Sequence, residues 1–528
     1  MSRLTALITG SCASTVRASV AVDHRRLGRW YLVFALAMAL WGGLDALLLR
    51  TVLVTPGADV WMARTYDAFF TTHGLTMLFL FATPAIWGFA YTVVPSLIGT
   101  DRTAFPALGT AAFWLLPPAA LAMRAGTIGG LVGVAGLEPV AIGWTMYPPL
   151  STQSTNLAVD LLLVGLFLVV VSTVVTAANF VVTIARCRTI RWLEVDTFTW
   201  TVLTSAAMAI LSFPVLSFAL VLLLADRNLG TAFFVGPGGD PVAWQHLFWF
   251  FAHPQVYVLA LPPMGILSHV LPRFSGCRLY GHRSAVYSTL AIGVLAFTVW
   301  GHHMFTTGMD PRARVAFMFV TLAVALPSAA KTVTWLGTLW GGAIRLTVPM
   351  LFALGSIGFF VGGGVTGVLL AVVPLNVVYN GTYYVVAHLH LMLLGLVVFA
   401  FLSGAYYWFP LLTGRWYNES LARLHFWLTA IGVAVTVAAL LVLGLAGLPR
   451  RVSTYPAAFA PLHQLATVGA FVVAVGQLVF CLNCWRSWRT GEPAGSDPWS
   501  LESAPTHDRE WRSVESTATP SSRTRDRS

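Results

Sequence analysis

TYYVVAHLHLMLLG, residues 382–395, sets two histidines, His388 and His390, inside an apolar run. Helical positions two apart project about 200° from one another, so these imidazoles cannot bind one metal. Each can hold a different planar cofactor, one on either side of the helix. Working outward, four more histidines fall at or near mid-helix positions: His73 in TTHGLTMLF, His253 in AHPQVY, and His302 with His303 before MFTTGMD. A lone histidine in an apolar helix is ordinarily a satisfied core residue, but six of them reverse that expectation. Histidine is a usual axial ligand of haem iron. The simplest reading is two haems flanking this helix, with His73 a candidate sixth ligand for one.

His302 and His303 are adjacent, about 100° apart on a helix. Both reach one ion only where the helix bends or frays. His253 could supply a third imidazole, and three imidazoles without carboxylate or thiolate suit copper or zinc. Tyr257 follows His253 by four residues, on the same face one turn along, which sets a phenol beside the expected metal.

The 528-residue chain is 57% hydrophobic and 10% charged, with a mean hydropathy of +0.76. A soluble globular chain carries ~25% charged residues, so this one is read as all-α and integral to a membrane. A spanning helix needs about 20 apolar residues. Twelve candidates centre near residues 41, 84, 115, 170, 211, 257, 296, 327, 360, 395, 434 and 473. The net charge of +11 lies mostly in short loops and the tail, so no nucleic-acid partner is expected; membrane lipid is. Arg25, Arg26 and Arg29 precede the first span, Arg186, Arg188 and Arg191 follow the fourth, and Arg273, Arg278 and Arg283 the sixth. Positive loops stay inside, which puts both termini in the cytoplasm. The expected organisation is a cytoplasmic segment over 1–29, a twelve-helix domain over 30–486 and a polar, disordered tail over 487–528. Five cysteines show no disulfide framework, and Cys481 with Cys484 reads as packing.

Five stretches carry a resemblance to subunit I of the heme–copper oxidases, in the branch of mitochondrial and bacterial cytochrome c oxidase. They are GWTMYPPL (143–150), WQHLFWFFAHPQVY (244–257), VWGHHMFTTGMD (299–310), TYYVVAHLH (382–390) and LGLAGLPRR (443–451), in the family's order. The resemblance implies His73 and His390 as axial ligands of a low-spin haem and His388 as ligand of a high-spin haem. It implies His253, His302 and His303 on one copper, with Tyr257 the phenol covalently joined to His253. Arg450 and Arg451 match the pair that holds the haem propionates, with Trp144 near them, and Arg50 matches a residue at the low-spin haem's edge. The implied reaction reduces dioxygen to water with electrons from cytochrome c, delivered through a copper-bearing subunit II, and subunit III is a further expected partner. A bacterial plasma membrane is the expected location.

Thirty of the 31 basic residues are arginine; Lys331, inside the eighth span, is the single lysine. Lysine gives up its proton on burial and arginine does not, so this position suits proton transfer. By resemblance it belongs to a proton path, with Ser328 and Ser268 as its hydroxyls. A second family path departs here: Gln255 replaces a glutamate, Arg102 stands at an aspartate position beside Asp101, and Ala107–Leu108–Gly109 replace amides. The tyrosine–serine pair that serves relatives lacking that glutamate is absent, since Phe251 and Ala252 occupy its positions. Asn380 and Gly381 replace the His-Asp of a magnesium site. Quinol-oxidising relatives carry Arg, Asp, His and Gln where this chain has Trp41, Asp45, Thr65 and Ala68, which favours cytochrome c. Nitric oxide reduction is the remaining rival; no glutamate falls inside a span, and Tyr257 is present, against it. His246 and His269 match no ligand position and are expected to be structural.

Overall fold

The computed structural model describes residues 22–57, 60–495, 497–499 and 509–511, with side chains from residue 63 onward in the second stretch. Most of the segment 1–29, and the tail's residues 500–508 and 512–528, lie outside them. The described residues are helical, with two isolated backbone bridges and no strand.

Eleven helices are long and apolar enough to span a membrane: α1 His24–Val52, α2 Ala63–Leu97, α3 Pro106–Met123, α4 Leu157–Cys187, α5 Thr197–Asn228 and α6 Pro241–Ser275, then α8 Pro311–Leu339, α9 Val348–Ala371, α10 Tyr383–Thr413, α11 Glu419–Leu445 and α12 Ala457–Thr490. The twelfth expected span, α7, is His282–Leu295 followed by tighter 3₁₀ turns at Ala296–Thr298 and Trp300–Met304. It crosses as a broken helix, and the break falls at His302 and His303. Helix α1 starts at His24 because the Asp23 carboxylate accepts from the Arg25 and Arg26 amides at 3.0 and 3.1 Å. Such N-caps satisfy donors that a helix start leaves unpaired.

The most apolar stretches of α2 and α6 are 83% buried, whereas that of α8 is 6% buried. Helices α2 and α6, which carry His73 and His253, therefore form the centre of the bundle. The outer helices turn apolar faces outward, where lipid tails solvate them without cost. Two histidine-bearing helices, α2 and α10, depart from regular α-geometry: π-turns occupy Thr76–Ala82 after His73 and Leu391–Val398 after His390. Such turns concentrate at functional sites.

Two sequence expectations change. Cys187 is disulfide-bonded, while Cys277, Cys481 and Cys484 are free thiols; pairing between distant cysteines is not legible from spacing. The described part of the tail is docked. Trp499 and Trp511 are buried, and their indole N–H groups donate to the Tyr407 carbonyl and hydroxyl at 3.0 and 3.1 Å. Glu510 is fully buried, 2.7 Å from His269 Nε2 and 3.7 Å from Arg273. The tail's polar composition concealed these three anchoring side chains.

Candidate metal and haem centre

Helix α6 presents His253 immediately before Pro254, whose missing N–H loosens the helix there. The 3₁₀ turn of α7 brings His302 and His303 against it. Ring centroids of His253 lie 4.5 Å from His302 and 5.3 Å from His303, and the latter two are 4.3 Å apart. One ligand atom from each falls within 4.8 Å of the others. Among the described residues this is the only trio of His, Cys, Asp or Glu so arranged. His253 Nδ1 faces His303 Nε2 at 3.1 Å. His302 Nδ1 donates to the Thr321 hydroxyl at 3.0 Å, and that hydroxyl in turn donates a hydrogen bond to the Phe317 carbonyl. Trp249 stacks on His303, centroids 3.8 Å apart and planes 6° from parallel. Thr321 and Trp249 were not singled out from sequence. Trp249 was findable, since it sits one turn before His253 on the same helix.

The Tyr257 ring lies 4.8 Å from that of His253. His253 Nε2 is buried without a hydrogen-bond partner, a state that ordinarily costs about 1–3 kcal/mol. The trio therefore suits a bound metal and a modified or closely held Tyr257 better than an apolar core.

Helix α10 separates the other two histidines as expected. His388 Nδ1 donates to the Gly363 carbonyl at 3.1 Å and lies 3.1 Å from the Thr366 hydroxyl, both on α9. His390 Nδ1 donates to the Val386 carbonyl at 2.8 Å, and His73 Nδ1 to the Gly42 carbonyl of α1 at 2.8 Å. A carbonyl only accepts, so each Nδ1 carries the proton and each Nε2 keeps its lone pair. Metal-ligating histidines are held in this manner. The rings of His73 and His390 face each other, centroids 6.5 Å apart and planes 4° from parallel. That gap leaves room for one ion with metal–nitrogen bonds of about 2 Å to each side. The donor sets fit two haems and one copper.

Trp144 lies against α2 beside His73: a Cβ added at Gly74 would come within 3.0 Å of its own Cβ. The Gly143 amide donates to Thr71 at 2.9 Å and secures that loop. The loop with Arg450 and Arg451 is bridged to the start of α10, Tyr383 N to Leu448 O at 3.0 Å and Arg450 N to Gly381 O at 2.9 Å. Arg451 has φ +65°, a strained region for a non-glycine residue, and its guanidinium lies 5.1 Å over Phe70. Burial, with Arg451 beside it, pushes the Arg450 guanidinium down to about 10. Two neighbouring cations here call for an anion. Arg50 is buried, bonded to the His463 carbonyl and, at 3.1 and 3.2 Å, to Thr467. His463, unremarked in the sequence, stacks on Tyr455 at 3.9 Å.

The departures from the second proton path are also visible. Gln255 is buried and its Nε2 has no hydrogen-bond partner. Phe251 and Ala252 are buried and apolar beside it, and Asp101 and Arg102 are exposed. The Asn179 amide is spent on the Phe105 backbone, with bonds of 3.0 Å in both directions. Lys331 is fully buried, but its ammonium reaches α7 rather than Ser328 or Ser268. Ser328 bonds the Val324 carbonyl at 2.9 Å, and Ser268 bonds the Met264 carbonyl and the Trp335 indole, each at 2.9 Å. Asp45 is held by Arg124 at 2.6 Å, a buried pair whose guanidinium covers Trp41. His269 pairs with Glu510, and His246 accepts from the Trp300 indole at 3.3 Å.

The family model described as "Cytochrome C and Quinol oxidase polypeptide I" matches residues 26–472. A protein of Halobacterium salinarum named cytochrome c oxidase polypeptide 1 is 48% identical over 94% of this chain and 83% of its own. Cytochrome c oxidase subunit 1 of Thermostichus vulcanus is 43% identical over 90% of this chain and 86% of its own. In fold the chain is similar to one from a cryo-EM structure of a heme-copper terminal oxidase dimer. That likeness has a TM-score of 0.71, 19% identity, and covers 89% of this chain and 84% of the other. A family match across nearly the whole membrane domain, with relatives 43–48% identical over at least 90% of the chain, means that the chain belongs to the cytochrome c and quinol oxidase polypeptide I family of heme–copper oxidases.

Proposed function

We propose that this chain is the catalytic subunit of a terminal oxidase that reduces dioxygen to water with electrons from cytochrome c, delivered through a subunit II. The observation that carries the reading is the His253–His302–His303 trio with Tyr257 beside it. Bound by these residues, two haems and one copper would supply the electrons and the dioxygen site, and the reaction consumes four electrons and four protons per dioxygen. His73 and His390 would hold the relaying haem and His388 the reacting one. Trp249 keeps the His303 ring in place, and Thr321 fixes the His302 tautomer. Tyr257 Oη is the one protein hydroxyl of this set able to donate a proton and an electron together. Arg450 and Arg451 would take the propionates, with Trp144 packed below. Arg50, held by His463 and Thr467, would donate to the low-spin haem's edge.

Protons would come from the arginine-rich face, taken as cytoplasmic in a bacterial plasma membrane, through Lys331. A glutamine amide does not titrate near neutral pH, and the surroundings of Gln255 offer no alternative. Asp45 is committed to Arg124, so the single match to the quinol-oxidising set is already paired, which supports cytochrome c as donor. Purified with its partner subunits, the complex is expected to show haem bands in a reduced-minus-oxidised spectrum and to consume oxygen with reduced cytochrome c. Absence of haem bands would sink the oxidase reading; activity with quinol alone would sink the donor.

A further inference from the structure

Asp45 and Arg124 form an ion pair inside the membrane domain. Arg124 Nη1 lies 2.6 Å from Asp45 Oδ2, and the two side chains are 1% and 3% exposed, arginine first. Asp45 is the single carboxylate of α1, and Arg124 follows Met123, the last residue of α3. The guanidinium lies 4.5 Å over the Trp41 ring, and its Nε and Nη2 are buried without a hydrogen-bond partner. Charge within a membrane is costly, and well-packed apolar side chains in place of a buried ion pair are often neutral or stabilising. Holding α1 to α3 therefore does not by itself account for this pair.

The pair sits behind His73. His73 Nδ1 donates to the Gly42 carbonyl at 2.8 Å, and Gly42 precedes Asp45 by three residues, about 4.5 Å along α1 and on the same side of it. Trp41, under the guanidinium, is the chain neighbour of Gly42. Helices α1 and α2 touch at this point, since a Cβ on Gly42 would come within 2.8 Å of Met77 Sδ. Arg124 is near enough for its charge to act on the His73 ring.

Reduction adds one electron to a haem iron, so nearby positive charge favours the ferrous form and nearby negative charge the ferric one. Arginine keeps its proton on burial. Without Asp45, a full positive charge would stand uncompensated beside His73. At an effective dielectric of about 20, a unit charge ~10 Å away moves such an equilibrium roughly tenfold.

We propose that Asp45 and Arg124 are positioning residues for electron transfer. By cancelling each other's charge behind His73, they hold the low-spin haem's ferric–ferrous equilibrium where it accepts electrons yet yields them to the haem of His388. This rests on the haem assignment proposed above and adds two residues that hydrogen-bond to neither axial histidine.

Redox titration of the assembled oxidase, followed in the low-spin haem band, tests it. Asp45→Asn keeps the shape and still accepts from Arg124. It is expected to shift the equilibrium roughly tenfold towards ferrous haem, about 59 mV for a one-electron couple. The neutral double variant, Asp45→Asn with Arg124→Met, lacks the bond altogether yet should return to within a few-fold of the wild type. A merely structural role would instead leave the double variant at least as displaced as the single one. The double variant decides the matter even where the single one does not assemble. An unshifted Asp45→Asn, or a double variant displaced tenfold, would overturn the charge role and leave the haem assignment standing. A wild type without a low-spin haem band would overturn the assignment itself.

Discussion

The rings of His73 and His390 lie parallel to within 4°, with centroids 6.5 Å apart, and each is fixed by an Nδ1 hydrogen bond to a helix carbonyl. His388, two residues before His390, points to α9 instead. Separate replacement should therefore separate the two haems. His390→Ala is expected to abolish the low-spin spectrum and keep a carbon monoxide-binding haem, and His388→Ala to do the reverse. Loss of the same haem in both variants would refute the assignment.

Copper should depend on the trio as a unit. Replacing His253, His302 or His303 with alanine leaves two imidazoles, too few for a tight site. Elemental analysis should show one copper fewer per complex than the wild type. Full copper content in His302→Ala would place the metal elsewhere.

Proton delivery should be lopsided. Lys331→Met is expected to reduce oxygen consumption nearly to background, because a buried methionine neither takes nor gives a proton. Gln255→Leu should change the rate only a few-fold, and Gln255→Glu alone should add little while Phe251 and Ala252 keep that region apolar. Oxygen-electrode rates in the three variants decide it, and strong loss in Gln255→Leu would contradict the reading.

Helices α10 and α11 approach so closely that a Cβ on Gly444 would lie 1.9 Å from the Tyr384 amide nitrogen. Overpacking of that kind costs about 1–3 kcal/mol or more. Gly444→Ala should lower the thermal midpoint of haem absorbance and disturb the propionate loop; an unchanged midpoint would mean that the helices separate freely.

Docking of the tail should be acid-sensitive. Burial opposes ionisation of Glu510, but His269 and Arg273 hold its carboxyl below the ordinary 4.5. A depressed carboxylate stabilises the docked form above its unfolded value and loses that contribution as pH falls through the folded one. Limited proteolysis should spare the tail near neutral pH and cut it as the pH drops below about 4.5. Glu510→Gln should be cut at neutral pH as well. Equal protection of variant and wild type would show that Trp499 and Trp511 suffice.

Residue order alone determined the helical membrane class, the approximate positions of all twelve spans and the placing of His388 and His390 on different faces of one helix. Each follows from a local periodicity: apolar runs of bilayer length, and a fixed rotation per helical residue. It also identified the trio and the single lysine, because histidines and a lysine in apolar runs stand out by their cost. Tertiary structure alone decided which atoms meet. The 3₁₀ break that lets His302 and His303 converge, the bridge from Gly381 to Arg450, the stacking of Trp249, and Arg124 reaching Asp45 across 79 positions all depend on packing between distant segments. The same holds for Lys331, whose own-helix serine lay one turn away in sequence while its nearest hydroxyl, Thr289, came from the neighbouring helix. A side chain's partners are set by the face it turns and the helix that face meets, and only the assembled bundle specifies both.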